Sequence, residues 1–158
     1  MTRMSLIALL AWISLCFLVA TVSALVTDPG AWYEALEKPA WTPPNWLFGP
    51  VWTALYTLMG VAAWMIWERR RQQPGNAQAA LVLFIIQLAL NGLWSWLFFG
   101  QQAILLAFLD ILLLWTALAA TIIAFSRVRV LAAGLLIPYF LWTSYAVALN
   151  GAIVVLNA

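Results

Sequence analysis

Three apolar segments of this sequence each combine tryptophan or tyrosine with small polar side chains at helical spacing. Trp52 and Tyr56 lie four residues apart, and Gln87, Asn91 and Trp94 follow one another at intervals of four and three. A third set, at intervals of three, four and four, consists of Tyr139, Trp142, Ala146 and Asn150. Residues three or four apart share one face of a helix, so each segment predicts an aromatic and polar stripe.

The chemistry expected of these stripes depends on their apolar surroundings. In lipid a side-chain amide avoids the acyl chains, so the stripes should turn toward the interior of a helical bundle. There the amides either join helices by hydrogen bonds or line a cavity, and for any single Asn or Gln the hydrogen-bonding interpretation is the simpler one. Aromatic faces on three helices add a surface on which a flat apolar ligand would stack.

The ionisable side chains exclude several kinds of site. Histidine is absent, which excludes His-based triads, HExxH zinc sites and His-ligated haem, and no metal site is expected. Cys16 is the only cysteine, so the chain forms no intramolecular disulfide. Asp110 is the only acidic residue deep within an apolar segment. A charge at that depth costs about 3 kcal/mol, so Asp110 should face the bundle interior and either pair with a neutral donor or become neutral.

The elements that position these residues follow from composition and hydropathy. Of the 158 residues, 66% are hydrophobic and 8% charged, whereas soluble domains carry about 25% charged residues. A membrane-spanning helix needs about 20 apolar residues. Five stretches qualify, and we predict one domain, 1–158, that is an all-α integral membrane bundle of five transmembrane helices at 6–26, 46–67, 79–99, 103–125 and 130–156, with an outer loop at 27–45.

The basic residues predict an orientation. With five spans, six of the seven basic residues fall on one side, namely Arg3, Arg69, Arg70, Arg71, Arg127 and Arg129, and only Lys38 on the other. This asymmetry places the N-terminus inside and the C-terminus outside. The net charge of +2 is too small and too scattered for binding nucleic acid.

Two features of the spans allow alternatives. Val22-Ser23-Ala24 after an apolar run resembles a signal-peptide cleavage site, although this run is longer than a signal core and its removal would leave four helices. Trp41 and Trp46 at the outer boundary, like Trp64 and Trp67 at the inner one, are typical of the aromatic belts of membrane proteins.

Prolines and the long loop predict how a cavity would form. Pro138 should interrupt the fifth helix, because proline removes one backbone hydrogen bond and clashes with the preceding turn. A kink there would make room between helices. The outer loop, with Trp32, Tyr33 and Trp41, would then lie over the outer mouth as a lid.

The loop and the second span carry a motif that resembles a known family. Trp32-Tyr33, the run LEKPAWTPPNW at 36–46 and Gly49-Pro50-Val51-Trp52 are similar to the signature of the TspO family. That family is also called translocator protein, peripheral benzodiazepine receptor or tryptophan-rich sensory protein. Further matching segments, which extend the resemblance over nearly the whole chain, are Gln87 to Asn91 with Trp94, Phe98-Phe99-Gly100, and Pro138-Tyr139 with Trp142 and Asn150.

The resemblance implies a five-helix bundle, often homodimeric, that requires no cofactor. It binds porphyrins such as protoporphyrin IX, and isoquinoline and benzodiazepine-like compounds, between the helices beneath the first loop. The positions that match the family's pocket are Trp41, Trp52, Tyr56, Asn91, Trp94, Asp110, Trp142, Ala146 and Asn150. Some bacterial members are credited with light-dependent breakdown of protoporphyrin, in which the tryptophans matching Trp52 and Trp142 are implicated.

This sequence departs from the family at one place. Animal members carry a cholesterol-recognition pattern of an apolar residue, tyrosine and a basic residue near the end of the fifth helix, but residues 151–158 contain no Tyr, Lys or Arg. Sterol transport is therefore not expected. The short tail favours a bacterial member in the cytoplasmic membrane, surrounded by lipid. Three functions remain open: a porphyrin-binding sensor, a transporter of tetrapyrroles or other hydrophobic compounds, and a light-dependent enzyme.

Overall fold

The computed structural model describes residues 3–27 and 30–158. In this part of the chain, five helices are long and apolar enough to cross a membrane and no strand occurs, as predicted. The helices are α1 (Arg3–Val26), α2 (Ala31–Ala35), α3 (Phe48–Trp67), α4 (Pro74–Ser95), α5 (Ile104–Val128), α6 (Val130–Leu135) and α7 (Ile137–Leu156). A 3₁₀ turn (Asn45–Leu47) leads into α3, and a π-helical turn (Trp96–Gly100) ends α4.

The ends of several helices differ from those expected of hydropathy alone. Helix α4 begins at Pro74 instead of residue 79, because proline suits the first helical turn, where no intrahelical N–H is needed. Helix α5 continues to Val128, so that only Arg129, in an extended conformation, separates it from α6. Hydropathy shows which residues suit lipid. The polar residues at the start of α4 and at the end of α5 continue these helices beyond the apolar stretch.

The spanning helices form a ring in the order α1, α3, α6 with α7, α5 and α4. Helix α1 packs on α3 and α4, and α5 packs on α4 and on both α6 and α7. Helix α3 packs on α6 far more than on α7. The helices α6 and α7 are the two halves of the fifth span. The contact of α3 with α6 therefore closes the bundle in one half, and space remains between α3 and α7 in the other half.

The two halves of the bundle have different interiors. We call the end that carries residues 30–45 the loop end, and the end that carries Arg69, Arg70 and Arg71 the arginine end. A continuous apolar core with Met59, Ile66 and other fully buried side chains fills the half toward the arginine end. A smaller cluster of Tyr33, Phe98, Ala107, Leu149 and Ile153 lies beneath the loop.

A close crossing of α1 and α3 helps to keep the core tight. A Cβ atom at Gly60 would lie 2.7 Å from the Ile13 Cα atom, a distance that real contacts do not reach. Glycine at this position therefore lets the two backbones approach, as small residues do between membrane helices.

The fifth span is interrupted as the sequence predicted. Leu136 forms a turn between α6 and α7, and its backbone N–H donates to the Ala133 carbonyl at 3.0 Å. Pro138 lies in the first turn of α7, where its missing N–H costs little. This interruption separates the half of the span that packs on α3 from the half that borders the open space.

Candidate functional site

A cavity of about 570 Å³ occupies the half of the bundle nearest the loop. All five spans contribute to its walls, together with Tyr33 and Pro43 of the loop. Its volume lies within the range of about 300–1,000 Å³ that is usual for small-molecule pockets. The lining is mainly apolar and aromatic, with a few amides and hydroxyls.

The cavity brings together seven of the nine positions selected from the sequence. They come from α3, α4 and α7, and are Trp52, Tyr56, Asn91, Trp94, Trp142, Ala146 and Asn150. Members of all three predicted stripes therefore face one space, whereas Gln87 and Tyr139 of the same stripes are fully buried outside the lining. That these residues bind a ligand stays a prediction.

The floor of the cavity is a hydrogen-bonded chain centred on Asn91. The Tyr56 hydroxyl donates to Asn91 Oδ1, and Asn91 Nδ2 donates to the Tyr139 hydroxyl at 2.9 Å. All three side chains are buried, and Tyr139 is fully enclosed behind the lining. Asn91 thus joins α3, α4 and α7 by hydrogen bonds and also faces the cavity. Both interpretations of a buried amide, hydrogen bonding between helices and lining of a cavity, therefore apply to this residue.

A second polar pair closes the loop-end wall. Trp94 Nε1 donates to Asn150 Oδ1 at 3.0 Å, which joins α4 to α7. The Trp94 ring stacks on Phe98, with centroids 5.1 Å apart and planes 20° apart. The π-helical turn, in which the Gln101 N–H donates to the Trp96 carbonyl at 2.8 Å, widens the helix where Phe98 and Phe99 join the lining.

Trp52 and Trp142 lie on different walls of the same cavity. Trp52 on α3 packs against Tyr56, with centroids 5.3 Å apart, and edge-on against Tyr139 at 6.0 Å. Trp142 on α7 stacks on Tyr145 at 5.9 Å. Neither indole N–H has a hydrogen-bond acceptor among the described residues, unlike that of Trp94. Both lining tryptophans therefore have an indole N–H that is unpaired within the described part of the chain.

The loop is fastened across the loop end of the bundle. The Glu37 N–H donates to Asn157 Oδ1 at 3.0 Å, and Asn157 Nδ2 donates back to the Glu37 carbonyl at 2.9 Å. The Tyr145 hydroxyl donates to the Trp41 carbonyl. The loop therefore covers the cavity mouth, as the expected lid would.

Tyr33 on α2 is one of the loop residues that reach the cavity. Its ring lies 5.6 Å from Phe99 and 6.3 Å from Phe98, and Lys38 Nζ lies 4.6 Å from its centroid. Burial raises the pKa of Tyr33, and the hydroxyl of Tyr145 acts in the same direction. The Tyr33 hydroxyl therefore stays neutral at physiological pH.

Two of the nine selected positions do not line the cavity. Trp41 lies at the rim, half exposed, with its ring edge-on to Tyr145 at 5.5 Å. Asp110 is buried within the bundle, as expected, but its neighbours Ile111 and Leu114 face the cavity instead. Its Oδ2 atom has no hydrogen-bond partner among the described residues, so the expected neutral donor is not found at that atom.

Sequence reasoning missed the contribution of α1. Phe17, Ala20, Thr21, Ser23 and Ala24 line one wall, but α1 is predominantly apolar and its sequence was not assigned an aromatic and polar stripe. Tyr145 was also missed, although its position three residues after Trp142 was the signal that could have found it.

The fold and the cavity define a class of helical membrane protein that encloses a ligand-sized aromatic pocket beneath a loop. A model of the TspO/MBR family matches residues 12–156. The chain belongs to this family, as the motifs predicted.

Relatives from three organisms show how broad the similarity is. The chain is 43% identical over 151 residues to the tryptophan-rich protein TspO of Chlorobaculum tepidum, covering 92% of each chain. It is 39% identical over 141 residues to the tryptophan-rich sensory protein of Cereibacter sphaeroides, covering 89% of this chain and 85% of that one. It is 42% identical over 119 residues to the translocator protein of Homo sapiens, covering 75% of this chain and 70% of that one.

Proposed function

We propose that this protein is a membrane receptor or sensor that binds a porphyrin, such as protoporphyrin IX, in the cavity beneath the loop. The observation that carries the proposal is the pair of cavity-facing rings, Trp52 and Trp142, each with an unused indole N–H. The name of the Cereibacter relative, a tryptophan-rich sensory protein, supports the sensing role.

Recognition of such a ligand would rest on stacking and shape. The aromatic lining offers ring faces to a flat macrocycle, and the indole N–H groups offer donors to its polar edge. Isoquinoline and benzodiazepine-like compounds, which are smaller but also aromatic, would use part of the same surface. The chain contains no histidine, so the ligand is bound without an axial imidazole.

Titration of the purified protein with protoporphyrin IX, followed by the shift of its visible absorption bands, tests the proposal. Stacking contributes up to about 1.5 kcal/mol beyond area burial, so Trp52→Ala or Trp142→Ala should weaken binding by about ten-fold or more. Trp52→Phe, which keeps a ring, should weaken it only a few-fold. Trp46→Phe is the control, because Trp46 is 72% exposed and does not line the cavity.

The titration also defines what would defeat the proposal. If neither alanine variant changes the affinity, while Trp46→Phe behaves as the wild type, the ligand does not occupy this cavity. If the wild type shows no saturable binding, the porphyrin is not its ligand. Flux of porphyrin across vesicles containing the protein, beyond equilibrium binding, would favour a transporter instead.

Light-dependent breakdown of the bound porphyrin is a second candidate function. It is favoured by the contact of Trp52 with Tyr56, at 5.3 Å between centroids, because two oxidisable rings lie together at the cavity wall. Spectra of the complex in darkness and under illumination test it. Trp52→Phe should keep most of the binding but abolish the light reaction. An unchanged spectrum of the illuminated wild type would exclude the enzyme and leave the receptor.

A further inference from the structure

A second concave surface lies at the arginine end, on the outside of the bundle between α1 and α4. This groove, of about 620 Å³, is lined by Trp12 of α1, by Trp67 at the end of α3, by Arg70 in the turn that follows, and by one face of α4. On α4 the lining residues are Pro74, Gln78, Leu81, Val82, Ile85 and Ile86. It shares no lining residue with the cavity beneath the loop.

The α4 side of the groove is aliphatic and open. Val82, Ile85 and Ile86 are 52%, 42% and 46% exposed. From Gln78 to Ile86 the helix rises about 12 Å, which is most of the depth of one bilayer leaflet, about 15 Å. An acyl chain lying along this face would therefore contact it over most of its length.

Arg70 stands at the charged end of the groove in a fixed orientation. Its guanidinium carbon lies 3.9 Å from the Trp67 ring centroid, and Nη1 donates to the Trp67 carbonyl at 2.8 Å. No acidic side chain pairs with Arg70 among the described residues. A guanidinium carries five N–H donors in a planar fork, so most of them remain for an oxyanion such as phosphate.

The surroundings of Arg70 reinforce the preference for an anion. Arg69 and Arg71 are its sequence neighbours, and Arg3 begins α1 at the same end of the bundle, where Glu68 is the opposing charge. Helix α4 also begins here, at Pro74, and a helix N-terminus carries a partial positive charge. The groove thus joins a positive end to an apolar face, which is the charge pattern that an anionic lipid complements.

We propose that this groove binds one anionic phospholipid, with its phosphate at Arg70 and one acyl chain along Leu81, Val82, Ile85 and Ile86. Trp67 positions the guanidinium, and Trp12 forms the wall against which the chain packs. A neutral phospholipid would fill the same aliphatic face but would meet Arg70 with no net charge to offset its own.

Native mass spectrometry of the full chain in detergent tests this site. Phosphatidylglycerol and phosphatidylcholine with identical acyl chains are titrated separately. Phosphatidylglycerol should bind more tightly, and Arg70→Gln should weaken its binding about five-fold. The same variant should weaken phosphatidylcholine less, because phosphatidylcholine has the same phosphate but also a cationic choline group. Arg71→Gln is the matched control, because Arg71 is exposed and does not line the groove. Ile85→Asn should weaken both lipids, since it disturbs the acyl-chain face.

Two results would overturn the proposal. Equal affinity for the two lipids would show that charge does not select the occupant. Equal losses for Arg70→Gln and Arg71→Gln would show diffuse attraction to the arginine end with no site in the groove. Porphyrin titration of the same variants should match the wild type, which keeps this test independent of the proposed receptor function.

Discussion

Replacement of Asn91 with leucine is expected to destabilise the bundle, because Asn91 is the centre of the hydrogen-bonded floor of the cavity. The variant removes the acceptor of the Tyr56 hydroxyl and the donor to the Tyr139 hydroxyl. Both hydroxyls belong to buried side chains, with Tyr139 fully enclosed. Their remaining polar neighbours would be Ser23 beside Tyr56 and Thr143 beside Tyr139.

The size of the loss follows from these two contacts. Hydrogen bonds between membrane helices contribute about 0.6 kcal/mol each on average, so two give about 1.2 kcal/mol. A buried hydroxyl left without a partner costs about 1–3 kcal/mol. We therefore expect Asn91→Leu to lower the free energy of unfolding by about 1–3 kcal/mol.

The reasoning makes a sharper prediction for the triple variant Tyr56→Phe, Asn91→Leu, Tyr139→Phe. Replacing all hydrogen-bonding partners by apolar groups of similar shape is nearly neutral, because no polar group is left unpaired. The triple variant should therefore be more stable than Asn91→Leu alone. Reversible unfolding in mixed detergent and dodecyl sulfate measures both. If stability falls further with each added phenylalanine, the three side chains act independently and the argument from the network is refuted.

Three other predictions follow from positions elsewhere in the bundle. Gly60→Ala should lower the midpoint of thermal unfolding, because its Cβ atom would meet the Ile13 backbone. Gly134→Ala is the control and should not lower it, because nothing lies within 4 Å of a Cβ atom there. Equal midpoints for the two variants would contradict the close crossing. Asp110→Asn should fold with undiminished stability, since no ion pair with Asp110 occurs among the described residues; a loss of folded protein would reveal a need for the carboxylate. A reporter fused to the C-terminus should be active in the periplasm and one inserted near Gln73 in the cytoplasm, and the reverse pattern would overturn the orientation.

The sequence predicted much of the cavity because two physical rules act together. Helical spacing decides which residues share a face. Polar side chains such as Asn91 and Asn150 turn away from the lipid acyl chains and toward the interior of the bundle. The three stripes could therefore meet only inside the bundle. The interruption of the fifth span was predictable for a similar reason, because Pro138 cannot supply a backbone donor.

The remaining features depend on rotation and packing, which periodicity does not fix. Asp110 is buried within the bundle as predicted, but successive residues of a helix are about 100° apart, and it is Ile111 that faces the cavity. The predominantly apolar α1 lacks an aromatic and polar stripe, so Phe17 and Ser23 were not predicted to line a wall. The π-helical turn at Trp96–Gly100, within which Phe98 and Phe99 pack edge-on, also has no periodic signature.

The position of α7 in the ring has a consequence for biosynthesis. Helices that neighbour each other in sequence also pack together, as α1 does with α3 and α4 with α5, so these pairs can associate as they leave the ribosome. The wall with Trp142 and Asn150 belongs to the last span and is added after the others. Until then Asn91 and Trp94 have no partners on α7, and nascent chains that stall before the fifth span would expose them to lipid or to quality-control proteases.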